Sequence, residues 1–149
     1  MRHFHEVGHL HEFTFSCYRR MPLLTNDDWR GRLARCVDSA GNETAMGLVG
    51  FVLMPEHVHL LVYPPVPDPS IALNLARIKQ PFSKQIKGVL EERGSRLLSR
   101  LTVRERPGKT CFRFWQEGPG FDRNLFSPEA ISLSLEYGPV HKYSNSSGV

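Results

Sequence analysis

MPEHVHLLVYP, residues 54–64, places two imidazoles, His57 and His59, at the head of an apolar run and directly after a proline. Pro55 has no amide hydrogen to give a β ladder, so MPE reads as a break or a tight turn. Before it, TAMGLVGFVLM (44–54) is apolar with little alternation, the pattern of a central strand buried on both faces. After it, HVHLLVY reads as a second strand. So short a connection makes the two strands antiparallel neighbours.

Working outward, HLHEFTFSCY (9–18) alternates and is rich in Phe and Thr, which predicts a first strand. Asn26 or Asp27 can cap a helix over about 28–39, with Trp29, Leu33, Cys36 and Val37 on one face and SAGNE as the following loop. PPVPDPS is a proline-rich connection. Beyond it, Ile71, Leu75, Ile78, Phe82 and Ile86 have helical spacing, with Pro81 expected to kink or break the helix. Residues 88–110 read as a long loop or an extended helix end. CFRFWQ reads as a short strand or extended segment. SPEAISLSLEY (127–137) carries Ser at the N-cap, Pro at N1 and Glu129 in the first turn, and Gly138-Pro139 stops the helix. The order β-α-β-β-α-(β)-α predicts an α+β fold, a ferredoxin-like sandwich with an antiparallel central sheet and helices packed mainly on one face.

The chain has 149 residues, the size of one domain over 1–149, with 1–7 and 138–149 as loose termini. No apolar run approaches the ~18 residues of a membrane span, and the N-terminus lacks the apolar core of a secretory signal. Cys17, Cys36 and Cys111 are odd in number and widely spaced, which fits a reducing cytoplasm better than a disulfide framework. Net charge is +4, unevenly spread: from Arg77 to Arg113 eleven Lys/Arg face three Glu (91, 92 and 105), a local excess of +8. Such a run attracts phosphate, although a solvated basic loop has the same composition.

Strand periodicity puts His57 and His59 on one face, about 7 Å apart at Cα, with Val58 and Leu60 pointing the other way. Two neutral imidazoles on one face can share a divalent cation if a third ligand joins them. The same His-x-His spacing recurs at His3/His5 and His9/His11, so the spacing alone does not separate ligands from polar residues at a sheet edge. His9 and His11, on a neighbouring strand, are candidates for supporting groups. Tyr137 is a packing residue or a nucleophile toward a phosphodiester. A phenol with a pKa of about 10 needs a polarised phosphate or a nearby base to attack at neutral pH.

Three blocks resemble, in order, the single-tyrosine HUH transposases of the insertion sequence 200-like group, most closely the REP-associated tyrosine transposases. They are GHLHEFTFSCYRRMPLL, VGFVLMPEHVHLLV and FRFWQEGPGFDRNLFSPEAISLSLEY, and the resemblance spans about residues 8–137. It implies a ferredoxin-like fold whose histidine pair, here His57 and His59, binds Mg²⁺ or Mn²⁺. It also implies an enzyme that cuts and rejoins single-stranded DNA near hairpins, with Tyr137 forming a 5′-phosphotyrosine and releasing a 3′-OH. A homodimer is implied as well. Relatives continue their helix past the tyrosine to a polar residue one turn on. Here His141 stands four residues beyond Tyr137 as a candidate third ligand, but Gly138 and Pro139 interrupt the helix. The alternative is therefore a catalytically impaired hairpin-binding relative. Arg19, Arg20, Arg77, Lys79, Lys84, Arg113 and Arg123 are candidate DNA contacts, with Trp115 or Phe114 available to stack on an unpaired base.

Overall fold

The strand carrying the two histidines lies inside a four-stranded antiparallel sheet, whose strands follow in the order 47–53, 57–63, 10–16 and 121–125. This is seen in the computed structural model, which describes residues 10–44, 46–63, 71–118 and 121–125. The strands are β1 (Leu10–Ser16), β2 (Gly47–Leu53), β3 (His57–Tyr63) and β6 (Phe121–Leu125). Among the described residues there are also three α-helices, α1 (Asp27–Thr44), α2 (Ile71–Arg93) and α3 (Arg96–Arg100), a short 3-10 turn at Tyr18–Arg20, and a separate hairpin, β4 (Thr102–Arg106) with β5 (Lys109–Phe112). The mixed α+β architecture with an antiparallel sheet is the expected one.

Alternation along β1 and β3 gives the sheet two unlike faces. Phe13, Phe15, Phe51, Leu53, Val58, Leu60 and Val62 belong to the main core, together with Trp29, Leu33 and Val37 of α1 and Ile78, Phe82, Ile86 and Leu90 of α2. Phe82, Phe114 and Ile86 are fully buried, each contributing about 1.5–3 kcal/mol by leaving water. The opposite face carries Glu12, Thr14 and Ser16 of β1 beside His59 and His57 of β3. Register pairs Thr14 with His59 and Ser16 with His57.

The expected central strand at 44–54 is instead an edge strand, β2, paired to β3 alone. Only Phe51 and Leu53 of it are buried, Val49 is 44% exposed, and a register shift falls between Leu48 and Gly50. Gly47 and Gly50 bring no side chain to pack, so apolar composition overstated this strand's burial. Helix α1 starts as expected, with Asn26 Oδ1 accepting from the Trp29 amide at 3.1 Å. It continues through the expected SAGNE loop to Thr44, because Ala40 is buried and the Thr44 hydroxyl donates to Ala40 O at 2.7 Å. The buried Asn74 of α2 donates to that same hydroxyl at 3.0 Å, tying the two helices together.

Helix α2 runs unbroken through Pro81. Packing of Ile78 and Phe82 on either side of the proline offsets the lost hydrogen bond. The stretch 88–110, expected as a long loop or an extended helix end, is the end of α2, then α3 and the first part of the hairpin. Its turn is Arg106-Pro-Gly-Lys109, with Gly108 at φ +79°, the left-handed conformation a type II turn needs at its third position. The fourth strand of the main sheet is β6, where no strand was expected, and CFRFWQ splits. Lys109–Phe112 joins the hairpin, whereas Trp115 bridges Cys17 at the end of β1. The thiol of Cys17 is fully buried, which pushes its pKa up to about 12.

Candidate metal and nucleic-acid site

Three short backbone contacts fix the turn that delivers the histidines. The Cys17 amide donates to Glu56 O and the Leu24 amide to Pro55 O, both at 2.9 Å, while Met54 N donates to His57 O at 2.8 Å. The turn is thus stitched to the end of β1 and to the segment that follows it, and β3 leaves it in one fixed direction.

On β3 the two rings stand at 75° with centroids 4.7 Å apart, and their Nε2 atoms approach to 3.0 Å. That separation suits two adjacent ligands of an octahedral cation, each about 2.1 Å from it. To ligate through Nε2, each ring must carry its hydrogen on Nδ1. His59 Nδ1 lies 3.1 Å from Thr14 Oγ1 and 3.9 Å from Glu12 Oε2, the kind of partners that orient a ligating imidazole. His57 Nδ1 is buried with no hydrogen-bond partner, and Glu56 Oε2 stands 3.7 Å from it. Burial holds the His57 pKa below its ordinary value; Glu56 pulls it up and Arg20 pushes it further down. The net shift favours the neutral, ligand-competent ring. The donor set fits a divalent cation in these respects. Among the described residues, no third His, Cys, Asp or Glu completes a three-ligand cluster.

Glu12 and Thr14 were not singled out in the sequence, although their alternation with Phe13 and Phe15 in HEFTF carries the signal. Once β1 pairs with β3, that alternation turns both polar side chains toward the histidines. The expectation for His11 is corrected by the same register. It pairs with Val62 and stacks on Phe13 at 5.8 Å, on the face away from His57 and His59. His9, Tyr137 and His141 lie outside the described residues, as does the expected helix 127–137.

The basic candidates do not form one patch. Arg19 and Arg20 follow β1 beside the 54–57 turn, and Arg20 is 3.6 Å from Glu56 Oε2. Arg77, Lys79 and Lys84 belong to α2, on the helix side of the sheet. Arg77 pairs with Glu43. Lys79 is half-buried over the Phe15 ring at 5.1 Å, and desolvation lowers its pKa. Lys84 is exposed. Arg113 pairs with Glu117 at 3.3 Å and Glu105 at 4.0 Å. Arg123, on β6, stands opposite Glu12 in register. Phe114 is fully buried and Trp115 is 8% exposed. The Trp115 ring packs edge-on against Phe15 at 4.9 Å, and its Nε1 donates to Lys79 O at 3.3 Å. Neither aromatic face is open to a base, so the stacking expectation for these two residues is corrected: they are core side chains.

The family model described as "Transposase IS200 like" matches residues 7–101, which include both histidines and end before Tyr137. Among curated proteins none matches the chain. A REP-associated tyrosine transposase solved with a bound REP hairpin superposes with a TM-score of 0.59 at 17% identity, covering 92% of this chain and 67% of that one. The crystal structure of a candidate transposase from Deinococcus radiodurans R1 superposes with a TM-score of 0.55 at 16% identity, covering 86% of each chain. At such identities these two structures speak to the fold alone. No helix among the described residues is long and apolar enough to cross a membrane.

Proposed function

The chain belongs to the IS200-like transposase family, and from that premise we propose that it cleaves and rejoins single-stranded DNA at hairpins through a tyrosine nucleophile. The observation that carries this reading is the pair of Nε2 atoms held 3.0 Å apart, flanked by Thr14 and Glu12. His57 and His59 would hold Mg²⁺ or Mn²⁺, with His141 as the candidate further ligand, and an ion bound there would supply Lewis-acid polarisation of the scissile phosphate. Tyr137 Oη forms the new bond to phosphorus and gives up its proton to solvent, while the bond from phosphorus to the 3′ oxygen breaks and that oxygen takes up a proton from solvent as it leaves. The products are a 5′-phosphotyrosine and a 3′ hydroxyl, and the reverse attack rejoins the strand. Arg19, Arg20, Lys84 and Arg123 are proposed to meet backbone phosphates, and Arg77, Lys79 and Arg113 to do so at the expense of their present partners. A homodimer in the cytoplasm completes the reading.

The test is incubation with end-labelled hairpin DNA and Mn²⁺ followed by denaturing electrophoresis. An SDS-resistant adduct that disappears in Tyr137→Phe supports the proposal. Hairpin binding without an adduct in any divalent metal favours an impaired DNA-binding relative, the reading suggested by Gly138-Pro139 directly after the tyrosine. Cleavage that survives Tyr137→Phe removes the tyrosine from the chemistry.

A further inference from the structure

One carboxylate oxygen faces both the histidine site and the arginine turn. Glu56 Oε2 is 3.7 Å from His57 Nδ1 and 3.6 Å from the Arg20 guanidinium. Both are ion-pair distances, too long for a good hydrogen bond, so the oxygen is committed to neither partner. His57 Nδ1 is meanwhile the buried ring nitrogen that has no hydrogen-bond partner. Leaving such a group without a partner is unfavourable.

The backbone around this trio is over-determined. Arg19 and Arg20 both adopt left-handed φ, +52° and +55°, a conformation disfavoured for a residue other than glycine. Three bonds hold it: Arg20 N to Cys17 O at 2.9 Å, Met21 N to Tyr18 O at 3.0 Å, and Arg19 N to Gln116 Oε1 at 2.9 Å. Because Cys17 N also donates to Glu56 O, the arginine turn and the glutamate are parts of one clamped unit. Side-chain rotation is the freedom left. The strain is spent on aiming Arg20, 63% exposed, across the carboxylate that His57 needs.

We propose that Glu56 is a positioning residue shared between Arg20 and His57, and that a DNA phosphate drawing off Arg20 releases Glu56 to accept the His57 Nδ1–H and orient that ring as a ligand. This rests on the reading of His57 and His59 as the metal pair. Backbone binding at the exposed arginine thereby tightens the metal site: phosphate occupies Arg20, the carboxylate turns to His57, and Nε2 is held with its lone pair toward the cation. Arg20 opposes metal binding in the DNA-free protein.

Calorimetric titration of the DNA-free protein with Mn²⁺ tests this. Glu56→Gln is expected to weaken Mn²⁺ binding about tenfold, as the loss of a partner that orients a ligand does. Arg20→Ala is expected to tighten it about threefold, and that gain should vanish in the Glu56→Gln background, since Arg20 acts through the carboxylate. A simple charge effect would keep the Arg20→Ala gain in both backgrounds, and a purely structural ion pair would make both single variants move the same way. Either result overturns the proposal. Nitrogen-15 spectra of the Mg²⁺-loaded protein give a second readout: a His57 Nδ1–H that exchanges more slowly in Arg20→Ala than in the parent protein, a difference lost in the Glu56→Gln background. If His57→Ala with His59→Ala binds Mn²⁺ as tightly as the parent, the metal-pair reading itself fails. If the double variant loses Mn²⁺ and Glu56→Gln does not, this inference alone fails.

Discussion

The two faces of the central sheet use the same two strands for opposite ends. Toward the helices, Phe13, Phe15, Val58, Leu60 and Val62 are buried in a continuous apolar core, where packing sets stability. On the other face Glu12, Thr14, His57 and His59 are tied by polar contacts of 3.0–3.9 Å, beside a small buried pair, Leu10 and Leu61. One alternation therefore encodes both: a residue shifted by a single position would move from core to site. The lesson is that the site borrows its rigidity from the core behind it and contributes little stability of its own. Each variant of one face should leave the other's property nearly intact.

The largest effect that would break this division comes from His57→Ala with His59→Ala. Adduct formation on hairpin DNA should fall about a thousandfold or more, since several kcal/mol of charge stabilisation goes with the cation. The melting temperature should stay within roughly 3 °C; a large drop would make the histidines structural. Across the sheet, Phe82→Ala should cost about 3–5 kcal/mol in denaturant unfolding, because Phe82 is fully buried and its ring meets Phe114 edge-on at 4.8 Å. Residual Mn²⁺ affinity in the fraction still folded should be unchanged.

A smaller effect sharpens the contrast. Thr14→Val keeps the shape of the side chain and removes the partner of His59 Nδ1, so Mn²⁺ affinity measured by calorimetry should drop about tenfold with stability barely altered. The smallest concerns pH. Burial holds the folded-state pKa of His57 down, so the unfolded chain takes up this proton first, at a pKa of about 6.5. In metal-free protein, stability contributed by the neutral ring is present above pH ~6.5 and declines as pH falls through that value toward the lower folded pKa. His57→Gln should flatten that part of the stability–pH curve while leaving its remainder in place.

How far the sequence could be read follows the same divide. Elements that bury a periodic apolar set were legible: β1 and β3 by alternation, α1 and α2 by helical spacing, the turn at Pro55 by its missing amide hydrogen. What escaped carried little apolar signal. Strand β6, FDRNL, is a short edge strand whose composition resembles a loop. The hairpin TVRER-PG-KTCF is mostly exposed, so only its Pro-Gly turn marks it. The histidine pair stood out because strand period alone sets its face. Glu12 and Thr14 needed the pairing register, a non-local fact, before their proximity to it could be seen. Glu56 needed more still, since its relation to Arg20 depends on the left-handed turn at Arg19 and Arg20. Trp115 shows the converse error: an aromatic beside a basic residue invited a stacking role, but its partners in space are Phe15, Phe82 and Phe114.

The three thiols are sorted by the fold in a way that serves experiment. Cys17 is sealed at the end of β1 with its pKa at about 12, and Cys36, buried on α1, is also raised. Cys111 sits half-exposed on the hairpin. Thiolate is the species that alkylating reagents attack, so a maleimide dye near neutral pH should mark the hairpin and spare the core. The molecule thus arrives with a built-in attachment point for a reporter, one that needs no cysteine engineered in or out, on the arm that carries Arg104 and Arg106.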